Sequence, residues 1–150
     1  DVDLKLYVQE VIQSLAPSFK KTNHKINVEC PDNLVVKCAP GAIAQIFTNM
    51  IMNSLIHGLD EKENGHITVN ISLDNDDVVV EYADDGKGLT PENLERHFDA
   101  FFTTKRGKGG SGLGTHIMYN LVTQTLDGQI TASSEEGKGL SYEIRFPINS

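Results

Sequence analysis

Asn49, Asn53 and His57 recur at every fourth position of the segment Q-I-F-T-N-M-I-M-N-S-L-I-H-G, Gln45 to Gly58. Each step of four advances about 40° around an α-helix, so the three side chains form one polar stripe. Such a stripe is either a solvated helix face or a set of groups that reach a shared ligand. An Asn carbonyl oxygen suits Mg2+, which prefers oxygen and keeps several waters. One such oxygen, phosphate oxygens and water make a reasonable shell.

Seven of the 13 glycines lie between Gly86 and Gly114, in two clusters. The first is D-D-G-K-G, Asp84 to Gly88. The second is G-G-S-G-L-G-T, Gly109 to Thr115, which runs straight into a helical pattern. Glycine lets backbone N–H groups approach a ligand closely, and a glycine-rich turn opening a helix favours an anion. A phosphate-bearing ligand is the first expectation. Asp84, at the end of an apolar strand, can accept a hydrogen bond from an exocyclic amine such as adenine N6, with Gly86 and Gly88 close to the flat base. The plainer alternative is an Asx turn. Between the clusters, F-D-A-F-F-T-T-K-R, Phe98 to Arg106, precedes Gly107 to Ser111. Aromatic anchors, a basic pair and flexible glycines are what a flap over a triphosphate needs; an aromatic staple with a solvated basic loop is the alternative. The P-loop pattern is absent. The G-x-G-x-G of Gly110, Gly112 and Gly114 lacks the initial βαβ unit of a dinucleotide fold.

The elements that must position these groups follow from periodicity. Leu4, Val8, Val11, Ile12 and Leu15 predict a helix closed by Pro17. Ile26 to Cys30 and Leu34 to Cys38 predict two short strands around a Pro31-Asp32-Asn33 turn. A second helix is expected from Pro40 to Ile56, with Gly58 past its end. Alternation at Ile67, Val69, Ile71 and Leu73, and at Val78, Val80 and Tyr82, predicts a hairpin turning at Asn75-Asp76. Residues 91–97 suggest a short helix. A third long helix is expected from near Gly112, carrying Leu113, Ile117, Leu121 and Val122 on one face. Ile130 to Ser134 and Leu140 to Phe146 read as closing strands. Helices and hairpins mix without strict βαβ alternation, which predicts an α+β two-layer sandwich with helices on one face of the sheet.

At 150 residues the chain reads as a single domain, 1–150, large enough to bury roughly 70% of its unfolded surface. A net charge of −8 argues against nucleic-acid or acidic-membrane partners. From Ala100 to Leu126 there is no acidic residue, while Lys105, Arg106 and Lys108 cluster, which suits a small anion. Cys30 and Cys38 lack metal-ligand spacing and read as free buried thiols in a reducing compartment. No apolar run approaches the ~18 residues of a membrane span, and no signal peptide is visible. The opening D-V-D-L, without an initiator Met, suggests a piece of a longer protein.

Taken together, the segments resemble the catalytic ATP-binding domain of sensor histidine kinases, in the superfamily shared with DNA gyrase, heat-shock chaperones and mismatch-repair ATPases. The N box resembles Asn49 to His57, the first G box Asp84 to Leu89, the F box Phe98 to Lys105 and the second G box Gly110 to Thr115. Ser133 to Gly139 resembles the closing hairpin. The similarity spans about residues 25 to 147. The resemblance implies the Bergerat two-layer α/β sandwich, with a mixed, mostly antiparallel sheet covered on one face by three helices. It implies ATP and Mg2+ as cofactors. Asn53 would hold Mg2+, with Asn49 near the phosphates and His57 beside them as a donor or adenine-side contact. Asp84 would bond the adenine amine, and Gly86, Gly88 and Leu89 would shape its pocket. Phe101, Thr104 and the lid residues Lys105 and Arg106 would contact the bound nucleotide. Gly110, Ser111, Gly112, Leu113, Gly114 and Thr115 would line the triphosphate.

Two positions depart from the family pattern. Ile56 stands where many members carry a Lys or Arg, and Gly139-Leu140-Ser141 stands where a G-T precedes the last strand, which leaves Ser141 as the stand-in for a water-mediated adenine contact. The resemblance implies phosphoryl transfer to a histidine on a separate dimerisation domain, then to a response regulator, with this piece monomeric, cytoplasmic and free of direct membrane contact, and any membrane anchor elsewhere in the parent. None of the five histidines sits in an H-E-x-x-N/P context, so the piece alone is expected to bind ATP without autophosphorylating. An ATP-hydrolysing clamp is the second reading, but it needs a Glu where Asn49 stands, and an amide cannot take the proton of an attacking water. A degenerate nucleotide-binding module is the third.

Overall fold

The computed structural model describes residues 1–99 and 114–149. Its centre is a five-stranded sheet in the order β2-β4-β5-β7-β6. The strands are β2 (Lys25–Glu29), β4 (His66–Asp74), β5 (Asp77–Asp84), β6 (Gln129–Ser134) and β7 (Leu140–Pro147). Only β2 and β4 run parallel; the other pairs are antiparallel. A parallel pair needs a long crossover, and α3 (Pro40–Asn53) supplies it. The remaining helices are α1 (Leu4–Ser14), α2 (Ala16–Lys20), α4 (Pro91–Glu95) and α5 (Gly114–Asn120).

Period-2 alternation decides which face is covered. Ile67, Val69, Ile71, Val80, Tyr82, Tyr142, Ile144 and Phe146 are buried, and they pack against Leu4 and Val8 of α1, Ile43, Phe47 and Met50 of α3, and Met118 of α5. Thr68, Asn70, Glu81, Thr131 and Glu143 point the other way and are exposed. This is the predicted two-layer sandwich with a mixed, mostly antiparallel sheet. Asn75, at φ 56°, makes the predicted β4–β5 turn.

Three local expectations give way. Pro17 does not end the first helical run; it sits in the first turn of α2, where its missing N–H is harmless. The two strands around Pro31-Asp32-Asn33 do not pair with each other. β3 (Val35–Val36) pairs with β1 (Val2–Asp3), and β2 joins the main sheet beside β4. The buried face of α5 and the turn after it is Thr115, Met118, Val122 and Leu126, whereas Ile117 is 42% exposed. Gly112 and Leu113, the predicted start of that helix, lie outside the described residues. Cys30 and Cys38 are free and half-buried, and burial pushes the Cys30 thiol up to about 11. Among the described residues no helix is long and apolar enough to cross a membrane.

Phe47 is 2% exposed at the centre of the helix–sheet interface. Phe47→Ala is expected to lower stability by about 3–5 kcal/mol through lost transfer energy and a cavity. Leu73→Ala, at a 46% exposed position on the sheet, should stay within about 0.5 kcal/mol. Urea unfolding of the two variants checks both.

Candidate functional site

Helices α3 and α5 each end in a wider turn. After α3 the chain forms a π turn, Ser54–Gly58, closed by Leu59 N–H donating to the Ser54 carbonyl at 2.7 Å. After α5 a second π turn spans Leu121–Thr125. Single π turns often mark functional positions. The first one places Ser54 and Gly58 against the end of β5.

Asp84 sits there, 6% exposed. Its Oδ2 accepts from the Ser54 hydroxyl at 2.6 Å. Its Oδ1 accepts from Gly86 N–H at 3.0 Å and from Leu140 N–H at 3.2 Å. An ionised carboxylate offers about four acceptor sites, so three protein donors leave room for one more. Behind Ser54, the Tyr82 hydroxyl donates to the Met50 carbonyl at 3.0 Å and lies 2.7 Å from Ser54 Oγ. Burial pushes the Tyr82 hydroxyl well above the usual phenol range, which keeps its proton in place.

The glycines around Asp84 are there for close approach. A Cβ on Gly86 would lie 2.2 Å from the Gly58 carbonyl oxygen, and one on Gly139 would lie 2.0 Å from the Asp84 carbonyl oxygen. Gly88 adopts φ 71°, which a side chain resists. It packs on the β6–β7 turn, where Leu89 N–H also donates to Ser134 Oγ at 2.8 Å. Gly86 thus backs onto the π turn, and Gly88 and Leu89 onto the closing hairpin.

The predicted polar stripe is half-buried rather than solvated at Asn49, Asn53 and His57. Asn49 is committed at both ends. Its Nδ2 donates to the Gly114 carbonyl at 2.8 Å, and its Oδ1 accepts from Gln45 at 2.7 Å. Asn53 Nδ2 donates to the Tyr142 hydroxyl at 3.4 Å, leaving Oδ1 as an oxygen ligand of the kind a hard cation takes. His57, in the π turn, lies close enough to His97 to disfavour its protonation. Thr115, predicted to line a triphosphate, is buried, and its hydroxyl donates to the His97 carbonyl at 2.7 Å. Among the described residues no three His, Cys, Asp or Glu side chains converge as a metal cluster. Mg2+ would then rest on Asn53 with ligand oxygens and water, a donor set that fits this ion.

Ser141, expected beside the adenine, lies apart from Asp84. Strand alternation turns it away from Asp84, onto the helix-free face, where its hydroxyl donates to the Ser133 carbonyl at 3.4 Å. There it lines a groove of about 340 Å³ with Glu81 and Glu143. The β7 group that does reach Asp84 is the backbone N–H of Leu140. Phe101, Thr104, Lys105, Arg106, Gly110, Ser111, Gly112 and Leu113 lie outside the described residues.

Sequence reasoning missed Ser54, Tyr82, Tyr142 and His97. Tyr82 precedes Asp84 by two on one strand and Tyr142 follows Leu140 by two on another, so alternation placed both on the site face. Ser54 and His97 carried no such signal.

Burial, and after it the nearness of His57, lowers the His97 imidazole from 6.5 to about 4. The unfolded chain takes up this proton below about pH 6.5, while the folded chain resists until about pH 4. Stability is therefore full above that window and falls through it, by about 3 kcal/mol at its lower end. Urea unfolding at about pH 7 and about pH 4.5 should show this loss, and His97→Phe should reduce it. Equal losses in both proteins would place the proton elsewhere.

A model of the family described as histidine kinase-, DNA gyrase B- and HSP90-like ATPase matches residues 38–150. Sporulation kinase E of Bacillus subtilis is 30% identical over 142 residues, which is 94% of this chain and 19% of that protein. The chain thus spans about a fifth of that curated relative's length. Among solved structures, the catalytic domain of histidine kinase ThkA superposes with a TM-score of 0.82 at 24% identity, covering 99% of this chain and 94% of that one. Full-length ShkA in complex with AMPPNP superposes with a TM-score of 0.80 at 24% identity, covering 97% of this chain and 30% of that one.

Proposed function

Because the chain belongs to the family of histidine kinase-, DNA gyrase B- and HSP90-like ATPases, we propose that it binds ATP with Mg2+ and delivers the γ-phosphoryl group to a histidine on a separate acceptor domain. Its role would be that of the catalytic part of a sensor histidine kinase, whose phosphohistidine then serves a response regulator. The observation that carries this reading is the Asp84 carboxylate. It is buried at a strand end, fixed by Ser54, Gly86 and Leu140, and keeps one acceptor position for the exocyclic amine of adenine.

The chain's own groups have a positioning task, which is the main catalytic demand of phosphoryl transfer. Asp84 orients the base, and Gly86 permits the close backbone approach. Asn53 offers an oxygen to the metal, and bound Mg2+ supplies neutralisation of triphosphate charge. Asn49 ties α3 to the start of α5 through Gly114, so the Asp84 end and the predicted triphosphate end keep a fixed spacing. His57 stands beside this stripe in the π turn. Lys105 and Arg106 are assigned to the lid, and Gly110 to Leu113 to the triphosphate turn, by their sequence pattern. The AMPPNP complex of ShkA, a protein of the same fold, supports ATP as the nucleotide.

A kinase is favoured over a hydrolase by Asn49. Its amide is spent on Gly114 and Gln45 and has no basic site for the proton of an attacking water. The acceptor histidine then has to come from another domain, as none of the five histidines lies in an acceptor motif.

Calorimetry with ATP and Mg2+ tests the site. Asp84→Ala, checked for retained fold, is expected to weaken binding about 10- to 100-fold, the value of a hydrogen bond to a charged group. Unchanged affinity would overturn the site. Label from γ-labelled ATP should not appear on this chain alone; steady ATP turnover would favour the clamp reading instead.

A further inference from the structure

An asparagine offers a cation its oxygen only when its amide is turned the right way. The Oδ1 and Nδ2 ends are nearly equal in size, and a half-turn about the side chain exchanges an acceptor for a donor. Nδ2 in place of Oδ1 would set N–H groups toward a metal. A magnesium ligand of this type therefore needs a partner that accepts only at the nitrogen end.

Tyr142 is that partner here. Its hydroxyl receives Asn53 Nδ2 at 3.4 Å, and on its other side it hydrogen-bonds to His97 Nε2. Tyr142 is 2% exposed, and a phenol is a neutral O–H at neutral pH. That group has one hydrogen to give. If the hydrogen goes to His97 Nε2, the oxygen is left to accept from Asn53, and Asn53 must present nitrogen to Tyr142 and oxygen to the opposite side. His97 is itself fixed: its ring stacks on Tyr142 with centroids 5.6 Å apart, and its carbonyl accepts from the Thr115 hydroxyl. With the His97 proton on Nδ1, Nε2 accepts and donation runs from Asn53 to Tyr142 to His97.

We propose that Tyr142 and His97 are positioning residues that hold the Asn53 amide with Oδ1 free for the magnesium ion of the nucleotide. The inference rests on the reading of Asn53 given above and deepens it. Tyr142 does not touch the ligand; it acts through Asn53. His97 immediately precedes Phe98, where the predicted lid segment begins, and the same chain therefore links the metal ligand to the root of that segment.

The test measures nucleotide affinity by calorimetry in EDTA and again in excess Mg2+, so that the gain due to the metal is read separately from binding of the base. Tyr142→Phe removes only the hydroxyl. Expected is a loss of about three- to tenfold in the Mg2+-dependent gain, the worth of one net hydrogen bond, with affinity in EDTA unchanged. In an Asn53→Asp background both side-chain ends are oxygens and orientation no longer matters, so adding Tyr142→Phe there should change the gain less than about twofold. An unchanged gain in Tyr142→Phe overturns the proposal. So does an equal fall with and without metal, which would make the hydroxyl a support of the pocket alone. If Tyr142→Phe does not fold, His97→Leu replaces it; it should lower the gain in the same direction, and no change would overturn the proposal. Absence of nucleotide binding to the unsubstituted protein both in EDTA and in excess Mg2+ would overturn the nucleotide reading itself. Binding without any metal gain would overturn only the role of Asn53 and the inference built on it.

Discussion

A carboxylate buried at the end of a strand must gather donors, because an unpaired charge in the interior costs several kcal/mol. Asp84 gathers three, and each comes from a different part of the chain. Ser54 reaches it from the turn after α3, Gly86 from the loop that follows its own strand, and Leu140 from the start of β7. The requirement propagates outward. Ser54 opens the π turn Ser54–Gly58, which brings Gly58 to the same point. Gly58 and Gly86 then meet backbone to backbone, and Gly139 passes over the Asp84 carbonyl, at separations no side chain tolerates.

The sheet explains why this point was available. β5 is a central strand, flanked by β4 and β7, and its end is enclosed on both sides. Helix α3 covers the same face and brings Ser54, Asn53 and Asn49 down in succession from Asp84 toward the start of α5. Asn49 closes the arrangement by holding Gly114. An amide with both ends committed is a poor acid or base but a good tether, and what excludes it from water activation equips it to set a distance.

Much of the fold was legible because it rests on alternation and amphipathic spacing. The β4–β5 hairpin, the α3 helix and the closing pair β6–β7 follow from the residues that had to be buried. What stayed hidden depends on pairing across space. Nothing local says that β3 joins β1 while β2 joins β4, since both strands look alike in isolation. Val122 is buried as its spacing predicts, but Ile117 is not: the buried face of α5 and the turn after it takes Thr115, Met118 and Leu126, and the Thr115 hydroxyl bonds the His97 carbonyl, a contact the sequence pattern does not carry.

The site divides in the same way. The roles proposed for Asp84, Gly86 and Asn53 rest on residue type at a strand end, a tight turn and a helix stripe, and the structure joins the first two by a hydrogen bond. Ser141 misled because residue chemistry was weighed without strand phase: a hydroxyl one position away from Leu140 lies on the opposite face of the sheet. The same rule, applied to Tyr82 and Tyr142, places both hydroxyls beneath the stripe, and there they do something that residue type alone does not suggest. Tyr82 donates to the helix backbone beside Ser54, and Tyr142 sits between Asn53 and His97. Each phenol is too deeply buried to lose its proton, so each has one hydrogen to direct. Tyr142 is the one of the two that meets a stripe amide, and with its hydrogen directed to His97 it turns the donor end of Asn53 toward itself and the oxygen end away.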